Sequence, residues 1–249
     1  MFRSEHFEPF TSASAAQVRR WVSTRPFVLE SIRIGIANLA AVARMAAEDL
    51  PTIHPVAARA ALKRYAPKIQ PPYFPEQVRS ALTTSRILTR TRVAIITVRQ
   101  GTDVLRRLAD PVRATLAAGL LCRVIQGTQG IVVNVDEDAV PLFTRHLGEP
   151  PLISTRRNLA ELAVSGPPIV ADTRGILALL AAVLSANGFN IAQATASYSD
   201  VIFLVPSSEV GAASQLLGSL IDDVTASPRR FRRVKRPRVG ARFRRAPVG

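Results

Sequence analysis

IVADTRGILALLAAVLSANGFNIAQATASYSDVIFLV, residues 169–205, reads as strand, Asp-containing loop, helix, turn, strand, tight turn and strand. Ile176, Leu177, Leu179, Leu180, Val183 and Leu184 fall at i, i+1, i+3, i+4, i+7 and i+8, a helical stripe running from Gly175 to about Ala186. Asn187-Gly188 stops the helix where a left-handed residue costs least. Phe189-Asn190-Ile191 opens a strand, and Ser199-Asp200 turns it back into Val201–Val205. No charge occurs between Arg174 and Asp200, so this helix is expected to pack on both sides.

The loop before the helix has the chemistry of a binding site. A helix N-terminus that starts on glycine offers backbone N–H groups and the positive end of a dipole, which suit a carboxylate. Asp172 beside it can accept an ammonium, so the pair suits a zwitterion. The alternative is that Asp172 caps the helix and Gly175 only permits the turn.

Asp172-Thr173-Arg174-Gly175 is close to the Asp-x-Pro-Gly loop of aspartokinase-type ACT domains, with Arg174 where that family usually has proline. Asn190-Ile191 directly after the helix and the Ser-rich turn between apolar strands extend the match. The stretch thus resembles the ACT domain, a small βαββαβ module that binds amino acids and regulates metabolic enzymes. The resemblance implies an amino-acid effector held by Asp172, Arg174, Gly175, Ile176, Asn190 and Ile191. It also implies pairing of copies, with a homodimer as the expected assembly.

Residues 92–153 look like a degenerate copy of the pattern at residues 159–205. The order is strand (VAIITV), loop (Gln100–Asp103), helix (VLRRLADPVRATLAA), strands LLCRVIQ and GIVVNV, a short helix from Asp138 to His146, and a strand at Leu152-Ile153. Pro111 is expected to kink or restart the helix. The Asp-x-x-Gly order is missing here, so this copy reads as a structural partner. The second copy has no evident closing strand after Ile221 unless the tail supplies one.

Residues 15–70 read as helices: Ala15–Ser23, Pro26–Ile34 ended by Gly35, Asn38–Leu50 with Asn38 as N-cap, and a helix opened by His54-Pro55. In this last helix Val56, Ala60 and the Leu62–Tyr65 region are expected to face inward. Two short helices joined by a brief turn, the second bearing Arg59, Lys63, Arg64 and Lys68, fit a helix-turn-helix. A solvated basic face is the competing explanation. GIANLAAVARMAAED also resembles a segment at the front of prokaryotic proteins that end in ACT-like modules. Gln70–Pro75, with three prolines, reads as a linker, and Pro75–Leu82 as one more short helix.

The net charge is +15, and ten cations with no acid lie from Arg229 onward, leaving only about a third of the excess for the rest. This tail has no period and reads as disordered. Arg229, Arg230, Arg232, Arg233, Lys235 and Arg236, interleaved with Phe231, suit phosphate neutralisation with base stacking. DNA or RNA is the candidate macromolecular partner. The single cysteine, Cys122, is expected as a buried structural thiol in a reducing, cytoplasmic setting. No stretch is apolar and long enough for a membrane span.

Nothing points to catalysis. No phosphate-binding loop occurs, His6, His54 and His146 are scattered, and Asp136-Glu137-Asp138 reads as carboxylates at a helix start. No catalytic residue, metal site or cofactor is expected. The sequence therefore describes an α+β chain: a helical, helix-turn-helix-like domain (1–84), a first, degenerate ferredoxin-like βαββαβ (ACT-like) module (85–156), a second (157–224), and a disordered basic tail (225–249). The expected role is an amino-acid-sensing transcriptional regulator. The alternative is a regulatory subunit that docks on a biosynthetic enzyme without nucleic acid.

Overall fold

Four helices make the first unit: α1 (Ala13–Ser23), α2 (Pro26–Ile34), α3 (Leu39–Asp49) and α4 (Pro55–Tyr65), followed by a 3-10 turn, Ala66–Lys68. The computed structural model describes residues 13–69, 75–148, 152–167, 170 and 173–226, and the chain divides into two units at Pro75/Glu76. The ends of these helices are written in the sequence. Gly35 stops α2 in a left-handed conformation, φ 86°. Asn38 Oδ1 accepts from the N–H groups of Ala40 and Ala41. His54 Nδ1 accepts from Val56 N–H at 3.3 Å, and Pro55 takes the first helical position.

The unit has one core, in which Val18, Trp21 and Val22 of α1 meet Val42 and Ala46 of α3 and Ala58 and Leu62 of α4. Trp21 Nε1–H donates to Asp49 at 2.8 Å, and the Arg25 guanidinium both reaches Asp49 at 2.6 Å and lies 4.3 Å from the Trp21 ring. The inward face of α4 differs from the expected one. Val56 is 70% exposed and Ala60 is also exposed, whereas Ala58, Ala61 and Leu62 are buried. Alanine is common on either face, so an Ala-rich helix has a weakly defined phase in sequence.

The second unit opens with α5 (Pro75–Thr83) and continues with β1 (Arg86–Arg99), α6 (Thr102–Ala117), β2 (Cys122–Gln126) and β3 (Gly130–Asp136). A 3-10 turn (Glu137–Ala139), α7 (Val140–Leu147) and β4 (Leu152–Ser165) follow. The last elements are α8 (Ile176–Ala186), β5 (Gln193–Ser197), β6 (Asp200–Pro206) and α9 (Val210–Ala226). The six strands form one antiparallel sheet in the order β2-β3-β1-β4-β6-β5.

The two 14-residue strands, β1 and β4, each serve twice. Residues 93–99 of β1 pair with β3, while residues 86–90 pair with residues 161–165 of β4. Residues 159–165 of β4 pair with β6, while residues 152–156 pair with residues 95–98 of β1. Each half of the sheet therefore contains strand, helix, strand, strand, helix and a closing strand. The closing strand of the second half is residues 86–90, which precede the first half in sequence. The sequence suggests the tail as its source, and residues 86–90 supply the strand instead.

Other boundaries differ too. The strand entering the second half is Leu159–Ser165, and Val170, where the sequence suggests a strand, is buried in a helical turn, while Ile169 lies outside the described residues. The strand after α8 starts at Gln193 rather than Phe189. α6 runs through the buried Pro111 as one helix, with Thr115 Oγ1 donating to the Pro111 carbonyl at 2.7 Å. α8 buries only Ile176, Leu180 and Leu184, so packing on both sides is not met among the described residues. The basic tail from Arg229 lies outside the described residues.

One core sits between the first half of the sheet and its helices, where Ile96, Val98, Ile131 and Val133 meet Leu108, Phe143 and Leu147. The alternate residues of β1 point the other way. There Val93 and Ile95 cluster with Leu159 and Leu204, joining the halves across their helix-free faces. Glu161, 9% exposed, and Arg123 form an ion pair of 2.8 Å that also links β2 of the first half to β4 in the second.

Candidate functional site

Strand β4 ends at Ser165 and α8 begins at Ile176. Gly166 is held by its N–H to the Ser199 carbonyl (3.0 Å). A Cβ at Gly166 would stand 2.5 Å from Ser85 Oγ and 2.6 Å from Val170 Cγ2, so only glycine fits without movement. Thr173, 6% exposed, donates its N–H to the Val170 carbonyl (3.3 Å) and accepts from Ile176 N–H (3.2 Å). Gly175, which offers no side-chain cap, is left-handed (φ 81°), a conformation that glycine adopts without steric cost. Its carbonyl accepts the first α-helical bond, from Leu179 N–H at 2.8 Å.

Of the six residues expected to hold an amino acid, Arg174 is exposed, Gly175 is half-buried and Ile176 is buried, while Asp172 lies outside the described residues. Ile176 offers neither its buried side chain nor its N–H, which Thr173 already engages. Asn190 and Ile191 stand elsewhere. α8 has 11 residues, and at about 1.5 Å per residue it separates its two ends by roughly 16 Å. Residues 173–176 lie at one end and Asn190-Ile191 just past the other. They do not line one small-molecule site within this half of the sheet.

The structure brings a different group near the N-terminal end of α8. Because Gly166 bonds to Ser199, the hairpin turn Tyr198-Ser199 lies beside the loop. Tyr198 is 76% exposed and left-handed (φ 51°), and Ser199 Oγ is 3.4 Å from Asp200 Oδ1. In the sequence alone this turn is a fold signal. What could have placed it here is topology: a helix returns the chain to the far end of the sheet, and the next hairpin brings it back.

The opposite end of α8 belongs to the junction of the halves. Asn190 N–H donates to Glu209 Oε2 (3.3 Å), and Ser207 N–H donates to the Asn158 carbonyl (2.9 Å). The first half repeats the device, with Leu121 N–H donating to Asp136 Oδ2 (2.8 Å). Asp136, Glu137 and Asp138 are each engaged separately, by Arg90 and Leu121, by Asn158 N–H, and by Arg92. Among the described residues no group of three or more His, Cys, Asp or Glu could hold a metal, and no helix is long and apolar enough to cross a membrane.

Arg59, Lys63 and Arg64, the candidate nucleic-acid contacts of the first unit, are all exposed on α4. None forms an ion pair among the described residues, and Asp49 is committed to Trp21 and Arg25. Arg229, Arg230, Arg232, Arg233, Lys235 and Arg236 lie outside those residues. Cys122 is half-buried and packs at the edge of the first-half core, and burial pushes its thiol above the ordinary value.

No curated protein matches the chain. Among solved structures, the ligand-free regulatory subunit of aspartate kinase from Thermus thermophilus is 19% identical, with a TM-score of 0.45, covering 55% of this chain and 97% of its own. The aspartate kinase of Clostridium acetobutylicum is 15% identical (TM-score 0.44; 53% and 34% covered). E. coli aspartokinase III in complex with aspartate and ADP is 16% identical (TM-score 0.40; 53% and 32% covered). The family model described as ACT domain matches residues 154–219, from near the start of β4 into α9.

Proposed function

We propose that the chain is an amino-acid-binding regulator whose two sheet halves act as a tandem pair of ACT-like modules. The match of residues 154–219 to the ACT domain carries the reading. The loop around Asp172 and Gly175 receives the amino acid, with the α8 N-terminus facing its carboxylate, Asp172 its ammonium, and the Tyr198–Asp200 turn closing the side. Asn190 and Ile191 act at the junction instead. Ligand at one end of α8 biases the position of the helix, and its other end passes that bias to Glu209 and the Asn158 segment. Coupling of this kind is typically worth about 1–3 kcal/mol.

The output is transcriptional: a pair of chains presents two helical N-terminal units to DNA, and the effector changes how they are used. A second reading, a regulatory subunit docking on a biosynthetic enzyme, is favoured by exposed Leu105 (42%) and Leu116 (56%), which share one face of α6. A thermal-shift screen of the full chain against the twenty amino acids tests effector binding. The expected outcome is a rise in melting temperature with one or a few of them. No rise with any amino acid at millimolar concentration would remove the effector.

A further inference from the structure

We propose that the outer face of α4 enters the major groove of duplex DNA, with Val56, Arg59 and Lys63 at the base edges and Arg64 on the backbone. The inner face, Ala58, Ala61 and Leu62, is buried, and both α1 and α3 pack on this helix. The outer face carries Val56, Arg59, Ala60, Lys63 and Arg64, all exposed. From Leu50 to Ile69 there are four cations and no carboxylate.

That is not the pattern of an ordinary wet helix. Such a face mixes signs and places acids three or four residues from bases, where each pair adds a few tenths of a kcal/mol. Here no acid stands at such a spacing on α4. The carboxylates just before it do not compensate, since Asp49 is taken by Trp21 and Arg25 and Glu48 forms no ion pair with α4 among the described residues. An uncompensated cationic face complements a polyanion.

Shape narrows the polyanion to duplex DNA. A helix of about 10–12 Å diameter fits a major groove about 12 Å wide, and Ala57 and Ala60 keep the outward side of α4 slim. Val56, 70% exposed at the first turn, is poorly placed for water and well placed for a thymine methyl. Arginine at position 59 suits the paired acceptors of guanine. The deep, narrow groove of duplex RNA would not admit this helix.

The inference rests on the transcriptional output named above and not on amino-acid binding. The full chain is incubated with a random duplex-DNA pool, and bound sequences are selected and read. One enriched motif is expected. Arg59→Ala/Lys63→Ala should lose about ten- to a hundredfold of the preference for that motif over a scrambled duplex. Val56→Asp should lose it as well. All three side chains are exposed, so thermal melts and any amino-acid-induced shift should stay unchanged, separating failure here from failure of the effector reading. The sequence-blind affinity of the cations after Ser227 should persist with its salt dependence. No enriched duplex motif, a motif bound equally by the variants, or enrichment only of single strands or RNA would overturn the assignment.

Discussion

Arg92 and Asn158 have the same left-handed backbone, φ 59°, at the midpoint of the two 14-residue strands. Each marks the point where a strand stops closing one half of the sheet and becomes a central strand of the other. Before it the residues are largely exposed; after it come Val93–Ile96 and Leu159–Val164, all buried. The register of β1 with β4 shifts here, which lets one strand serve two differently oriented halves.

A side chain branched at Cβ fits this backbone badly. Asn158→Val should therefore destabilise the protein by about 1–2 kcal/mol relative to Asn158→Gly, which should lie within about 1 kcal/mol of the parent. Urea unfolding measures both. Equal stability of the valine and glycine variants would contradict a left-handed residue at this position.

The Arg123–Glu161 pair ties the edge strand of one half to a central strand of the other. Arg123→Met leaves a carboxylate with little exposure and no partner, whereas Arg123→Met/Glu161→Leu removes both charges. The single variant should be less stable than the double by about 1–3 kcal/mol, discounted because Arg123 keeps some solvent. A double variant weaker than either single change would show that the pair stabilises outright.

Much of this organisation is legible in the chain. Gly35, Asn38 and His54-Pro55 mark helix ends by their own chemistry, and the apolar stripe of α8 gave its length to within a residue. The alternation from Arg86 marks a strand, but its place as the closing strand of the second half is hidden because it precedes the first half. Its trace is nonetheless present: Ile87-x-Thr89-Arg90 recurs as Ile153-x-Thr155-Arg156. The second copy starts near residue 159 in the sequence, but Glu161 disguises Leu159–Ser165 as a buried strand, a charge made tolerable by the distant Arg123. At the site, local sequence reading grouped residues on both flanks of α8, but helix length keeps the flanks apart and brings in the Tyr198-Ser199 turn.

Gly166 tests the packing around that turn. Gly166→Ala would push a methyl into Ser85 Oγ and Val170 Cγ2, and overpacking of this kind costs about 1–3 kcal/mol. Ser85→Ala alongside it should recover part of the loss in the same unfolding experiment. A Gly166→Ala variant as stable as the parent would mean the loop and Ser85 are not in contact.

Cys122 should alkylate slowly. Burial raises its pKa, so at a given pH less of the reactive thiolate is present than in the unfolded chain. Unfolding then releases a proton, and the stability that rests on the neutral thiol is present below the unfolded pKa and lost as pH rises past it. Iodoacetamide at pH 8 should label native protein more slowly than urea-unfolded protein. Equal rates would contradict the half-buried placement.

One working effector loop per chain is expected, since the second half has the Asp172–Gly175 order and the first lacks it. Calorimetric titration of the full chain with the amino acid that raises its melting temperature measures this most directly. The predicted result is one molecule bound per chain, with binding abolished by Asp172→Ala while the circular dichroism spectrum is unchanged. Two molecules per chain, or binding by Asp172→Ala equal to that of the parent, would contradict it.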